Sequence, residues 1–307
     1  MATATINNYA LFTGGTTGSI AYANVDVYDK YLTKSTTTNL SQKRRGHAGA
    51  SNANFAFFAG GSSVANAGST NSAVATVDTY NTTLVRSAAS NLTRASISSC
   101  GGTIGDYAMF AGSNNTNGVG SMVNAYDLSA VRTSPSQLPM NRYFLCSANT
   151  GNYLLFAGGL TARNFIVAYN TVLAQSSPSS LSGPDGYASG ASVGDYALFA
   201  GGKSSTTLVN SVNAYNKNLV RSSPTTLSYS AHHILGGSTE NFAVFAGGMT
   251  SNSAYTNVMN YYDKNLVRKV GASLSVSYKS GSTASVGDYI LFAGGSDQIT
   301  VDAYRDE

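Results

Sequence analysis

The chain of 307 residues has no tryptophan, two glutamates (Glu240 and Glu307), two cysteines and three histidines, and only 10% of its residues are charged. Scarcity of Glu, Lys and Arg removes the strong helix formers and argues against a helical fold. No apolar run approaches the roughly 18 residues of a membrane helix, so no membrane insertion is expected. Met1-Ala2-Thr3-Ala4-Thr5 lacks the charged and apolar regions of a signal peptide. Disorder is excluded as well, because 42% hydrophobic residues with a net charge of +4 can bury a core. What is plentiful is glycine (32), tyrosine (20) and phenylalanine (12), set among Ser, Thr and Asn. The balance points to a soluble, nearly all-β protein.

A repeat organises the whole chain. Tyr9-Ala10-Leu11-Phe12-Thr13-Gly14-Gly15 recurs from Phe55, Tyr107, Tyr153, Tyr196, Phe242 and Tyr289, with Gly-Gly replaced by Gly112-Ser113 in the third copy. An aliphatic residue three places before a tyrosine follows each time, from Val25/Tyr28 to Val301/Tyr304. A leucine lies twelve residues after the first six of those tyrosines, from Leu40 to Leu274, and the next opening aromatic follows fifteen residues later. All length variation therefore collects between the Gly-Gly and the V-x-x-Y phrase.

Each repeat reads as four short strands. In the fifth they are Ser189–Val193, Tyr196–Ala200, Val212–Tyr215 and a strand through Val220-Arg221-Ser222. Such units of about 45 residues are the mark of a β-propeller. The fold class expected is all-β: a seven-bladed β-propeller of four-stranded antiparallel blades. It forms one domain over 1–307, with repeats opening near 2, 48, 100, 146, 189, 235 and 282. The last blade should have three strands, because the chain stops three residues past Tyr304, with no strand exchanged between first and last blades. The strand ending in Gly-Gly and the later V-x-x-Y strand resemble the kelch-type propellers, although the tryptophan of strand four and a regular arginine opening strand one are missing. Similar Y-A-L-F-x-G-G arrays occur in bacteriophage tail and bacterial surface proteins. That resemblance implies an extracellular or virion-surface location.

Most conspicuous residues have a structural explanation. Seven opening aromatics, seven phenylalanines and seven strand-three tyrosines keep a fixed phase and should pack between blades. Lys34, Arg86, Arg132, Arg221 and Arg268 share one outer-strand phase, where charge discourages edge-to-edge association. Asp26, Asp78 and Asp302 alternate with Asn124, Asn213 and Asn260, which predicts a repeated hydrogen bond. Cys100 and Cys146 share an inner-strand phase and read as free thiols used as small apolar residues. His232 and His233, adjacent in a strand, should point to opposite faces. No metal and no cofactor are expected, and without a basic stripe around the ring no nucleic-acid partner is expected either.

One set of positions breaks the pattern. Four and five residues after the fixed leucine the pairs are Arg44/Arg45, Ser96/Ile97, Arg142/Tyr143, Asp185/Gly186, Ala231/His232 and Tyr278/Lys279. These connections from strand four to the next strand one share a face with the variable loops, and binding residues gather on loops held by a rigid scaffold. The candidate ligand-binding residues are Arg44, Arg45, His47, Arg142, Tyr143, Asp185, Tyr187, His232, Tyr278 and Lys279. The function expected is a non-enzymatic recognition module for a glycan or protein on a cell surface. The alternative is a propeller-fold enzyme acting on carbohydrate (lyase, hydrolase or epimerase), with His232, Tyr278 and Arg142 near the central channel. Oligomeric state is left open.

Overall fold

The computed structural model describes residues 1–65, 72–115, 117–160, 164–183, 186–204, 206–251, 254–278, 281–294 and 300–306. No helix occurs among them. The chain forms two compact units, Met1–Tyr143 and Phe144–Glu307. The first contains three four-stranded antiparallel sheets and a small two-stranded hairpin; the second contains three four-stranded sheets and one of three strands. The seven repeats are thus the blades of a seven-bladed β-propeller, and the last blade has three strands. In the fifth blade the strands are Ser189–Val193, Tyr196–Ala200, Val212–Tyr215 and Arg221–Ser222, as the sequence predicts. In the third, where Ser113 replaces the second glycine, strand two runs on from Tyr107 to Asn115 and pairs with a long Gly118–Tyr126.

The repeated residues fix how neighbouring blades meet. Within each of the first six blades the strand-two phenylalanine sets its edge against the strand-three tyrosine, as in Phe58–Tyr80 (5.9 Å, 74°) and Phe199–Tyr215 (6.1 Å, 71°). Such T-shaped pairs match the positive edge of one ring to the negative face of the other. The phenol then reaches out of its own blade. Tyr80, Tyr126, Tyr215 and Tyr262 donate to the carbonyls of Thr38, Ser90, Ser179 and Thr225, each at 2.7 Å and each two residues before the fixed leucine of the preceding blade.

The strand-three acid or amide makes the second link. Asp78, Asn124, Asn213, Asn260 and Asp302 accept from the backbone N–H of Ser41, Thr93, Ser182, Ser228 and Ser275 at 2.9–3.2 Å, one residue past that leucine. In one repeat the leucine is followed by Pro139, which has no N–H to give, and the next repeat has Val167 where the others have Asp or Asn. Inner strands approach so closely that a Cβ on Gly49 would strike the carbonyl of Thr3, and one on Gly101 the carbonyl of Gly49. Glycine is required there for space rather than for its conformational freedom.

The shared outer-strand cations do more than guard an edge. Lys34 pairs with Asp26 at 3.2 Å, Arg86 with Asp78 at 2.8 Å, and Arg221 donates to Asn213 at 3.1 Å. Cys100 and Cys146 are half-buried, and the Cys146 thiol lies 3.6 Å from the carbonyl of Ala157.

Candidate functional site

The connection from strand four into the next strand one follows one backbone course. Its residue five past the leucine pairs with the residue just beyond the glycine pair of the next strand two: Arg45 with Ser62, Gly186 with Lys203, His232 with Met249. This places the variable loop beside the connection. The next residue, six past the leucine, turns left-handed wherever it is described: Gly46 (φ 59°), Ser98 (61°), Phe144 (54°), Tyr187 (59°) and His233 (53°). The turn also carries a hydrogen bond between blades, Ser98 N–H to Gly46 O at 2.9 Å and His233 N–H to Tyr187 O at 3.2 Å. A non-glycine residue in this conformation costs about 1–2 kcal/mol, and bulky side chains adopt it least readily.

In the second unit this position holds three rings on consecutive blades. Phe144 and Tyr187 lie 5.2 Å apart between centroids, and Tyr187 stacks on His233 at 4.4 Å and 28°. His232 stands beside them, its ring 5.8 Å from Tyr187 and 4.6 Å from His233. Phe144 is 39% exposed, Tyr187 and His233 are half-buried, and His232 is buried. The backbone fixes His232, whose N–H donates to Met249 O at 3.1 Å while Met249 N–H returns to His232 O at 2.9 Å. Its imidazole Nδ1 meets the Nδ1 of His233, a hydrogen bond in which one ring donates and the other accepts. Burial, and secondly the charge of Lys203, hold the His232 pKa below its ordinary value.

The remaining candidates separate into three groups. Arg44, Arg142 and Tyr278, expected to face solvent, are each 0% exposed. Arg44 donates to the carbonyls of Gly60 (3.0 Å) and Thr76 (2.9 Å) and forms an ion pair with Asp78, itself buried and shared with Arg86. The Tyr278 hydroxyl lies 3.0 Å from the Asp302 carboxylate and 3.3 Å from the carbonyls of Phe292 and Thr300. Burial raises its pKa. Burial also lowers the Arg142 pKa to about 10; its Nε faces the carbonyl of Met140 at 3.5 Å. These three are therefore packing residues, and their chemical variety reflects different ways to fill one kind of site.

His47 is also buried, with Nε2 2.8 Å from the Thr13 hydroxyl. Arg45 is half-buried and donates from Nε to Val64 O at 2.9 Å, and Tyr143 is half-buried. Asp185 and Lys279 lie outside the described residues.

Of the described candidates, Tyr187 and His232 enter the aromatic arc. Phe144 and His233 were missed, and the expectation that His233 points away from His232 is overturned because its left-handed φ swings both rings to one side. A signal for them existed one residue beyond the pairs compared above: Gly46 at the same phase marks a left-handed turn that Phe144, Tyr187 and His233 must share. Among the described residues no group of three or more His, Cys, Asp or Glu could hold a metal ion.

No family model matches the sequence, and no curated protein matches it either. The fold does have solved counterparts. This chain is similar to the solved structure of YjhT, with a TM-score of 0.63 and 12% identity over 86% of this chain and 93% of that one. At that identity the likeness is one of fold, and it agrees with the seven-bladed propeller read from the strands.

Proposed function

We propose that the protein is a non-catalytic recognition module of the kelch type that binds a glycan on a cell or virion surface through the Phe144–Tyr187–His233 arc. The observation that carries this reading is the left-handed backbone of three bulky aromatic residues on consecutive blades. The turn itself does not need them, since Gly46 and Ser98 make it in the first unit. Backbone strain clusters at ligand sites, and here, unlike at the left-handed leucines of the strand three–four turns such as Leu84 and Leu219, it coincides with rings stacked on one another. Rigid rings offer large contact area at little entropic cost, and the apolar C–H face of a pyranose lies flat on such a ring. The enzymatic alternative drew on His232, Tyr278 and Arg142 as an acid–base set. The Tyr278 hydroxyl is engaged by Asp302 and two carbonyls, and the Arg142 side chain is buried.

A glycan array probed with the full chain tests the reading. Tyr187→Ala and Phe144→Ala should each weaken capture of the bound glycans about tenfold or more, roughly 1.4 kcal/mol. An array on which the unaltered chain captures nothing, or capture indifferent to both substitutions, overturns it.

A further inference from the structure

Six blades cover the outer edge of strand three with a fourth strand, and a long polar residue always pairs with the tyrosine there. The pairs are Lys34 with Tyr28, Arg86 with Tyr80, Arg132 with Tyr126, Gln175 with Tyr169, Arg221 with Tyr215 and Arg268 with Tyr262. In the seventh blade no described strand pairs with the outer edge of Val301–Arg305. An open row of N–H and C=O groups is a ready site for another strand. Its side chains are bared as well. Ala303 is exposed, whereas Val27, Thr79, Ala125, Ala168 and Ala214 at the same position are each 0% exposed. In the fifth blade Val212 and Ala214 pack in one cluster with Leu227, so the cover includes the leucine that follows strand four.

The corner after this edge is not shaped to fold the chain back. In the other blades the strand-three tyrosine is followed by Asp29, Asn81, Asp127, Asn170, Asn216 or Asp263. Each of these side chains accepts the N–H four residues on, at 2.8–3.0 Å, and so closes the turn into strand four. Here stands Arg305, whose side chain can only donate. Asp306 is tied elsewhere. Its N–H donates to Asp288 O at 2.8 Å, and its carboxylate accepts from the backbone and side chain of Asn241 at 3.1 and 3.0 Å.

We propose that the edge Val301–Arg305 receives a β-strand from a partner protein, with a sequence like that of the resident fourth strands. That strand carries Arg or Lys opposite Tyr304, flanked by a small aliphatic residue and a Ser or Thr as in Val220-Arg221-Ser222, and a leucine six residues past the cation. Asp302 draws the cation, at the position where Asp26 meets Lys34, Asp78 meets Arg86 and Asn213 meets Arg221. Main-chain hydrogen bonds supply affinity in such strand addition, and alternate side chains supply specificity. Ala303 presents its N–H to the open edge. In the fifth blade Asn216, two residues past the equivalent Ala214, donates its N–H to Val220 O at 3.2 Å, and the backbone direction alternates with a period of two. This site stands independently of glycan recognition.

The test titrates the full chain with a fluorescent synthetic peptide of residues 219–227. Binding should saturate and should slow hydrogen exchange at Ala303 and Arg305. Methylating the peptide nitrogen at Ser222, which faces Ala303, should weaken binding by about tenfold or more. Arg221→Met in the peptide should weaken it less and remove its sensitivity to salt. Ala303→Pro in the protein deletes the outward N–H, a change that an edge strand tolerates, and should abolish binding at an unchanged melting temperature. No binding, equal affinity for the N-methylated peptide, or protection confined to other blades overturns the proposal. Dimers of the chain that Ala303→Pro dissociates also overturn it, because a second copy would then fill the edge.

Discussion

The two units build the same connection between an outer strand and the next inner strand, and they load it differently. In the first, Arg44 and His47 turn inward to carbonyls, a carboxylate and a hydroxyl, while the left-handed corner is left to Gly46 and Ser98. In the second, the corner carries Phe144, Tyr187 and His233, whose rings meet one another on the surface side. The backbone is shared, so the hydrogen bond between corners persists in both, from Ser98 to Gly46 and from His233 to Tyr187. A scaffold that satisfies its own polar groups is free to change the side chains at its corners without refolding. Function can then be placed on some blades and withheld from others.

The hardest way to break this comparison is to remove Arg44. Arg44→Ala leaves the buried Asp78 with Arg86 as its remaining cation and strips donors from Gly60 and Thr76. Breaking a buried pair in this way costs about 3–5 kcal/mol, readable in a denaturant titration, whereas Tyr187→Ala should cost less than about 1.5 kcal/mol because the ring is only half-buried and forfeits ring–ring contact of about that size. Equal costs would erase the distinction between a structural and a ligand-facing corner.

Tyr278→Phe asks whether the inward role also holds in the second unit. Removing the hydroxyl deprives Asp302 and the carbonyls of Phe292 and Thr300 of a donor, for an expected loss of about 1–3 kcal/mol. A neutral result would mean that the phenol is merely a filler.

The pH dependence should separate the units further. Burial, then the positive charges of the N-terminal amine and Arg44, hold the His47 pKa well below its ordinary 6.5. The folded chain therefore resists a proton that the unfolded chain accepts. The resulting stability is complete above about pH 6.5 and is lost as pH falls below it, at up to about 1.4 kcal/mol per pH unit. His47→Gln keeps a nitrogen for Thr13 and should flatten the acid limb by as much as one proton. An unchanged slope would show that another group controls acid lability.

The smallest effect is the most specific to the corner. Ser98→Gly removes a side chain from a left-handed residue and should stabilise the protein by about 0.5–1 kcal/mol. Destabilisation would show that the Ser98 side chain contributes contacts that outweigh the backbone strain.

Much of this was legible in the sequence because propeller contacts repeat. The Phe–Tyr pairs and the Asp/Asn position could be assigned from phase alone, and the structure gives each its partner. The position four past the leucine was misread because diversity there looked like adaptation to a ligand. A guanidinium and a phenol can reach the same set of acceptors: Arg44 contacts Phe58, Thr76 and Asp78, and Tyr278 contacts their repeat equivalents Phe292, Thr300 and Asp302. Where that position is only Ala231, Tyr229 donates to Gly247 O at 3.1 Å, from two residues earlier. A linear pattern records which side chain is used and is silent about the acceptors it finds.

The sequence by itself determined the blade strands, the number of blades and the phase of the repeated phenylalanines and tyrosines, because a local period of two and a repeat near 45 residues are properties of the chain. Only the tertiary structure decided which variable residues are buried and which meet on the surface. That choice depends on distances between blades that are remote in sequence, and on a left-handed corner that turns His232 and His233 to the same side.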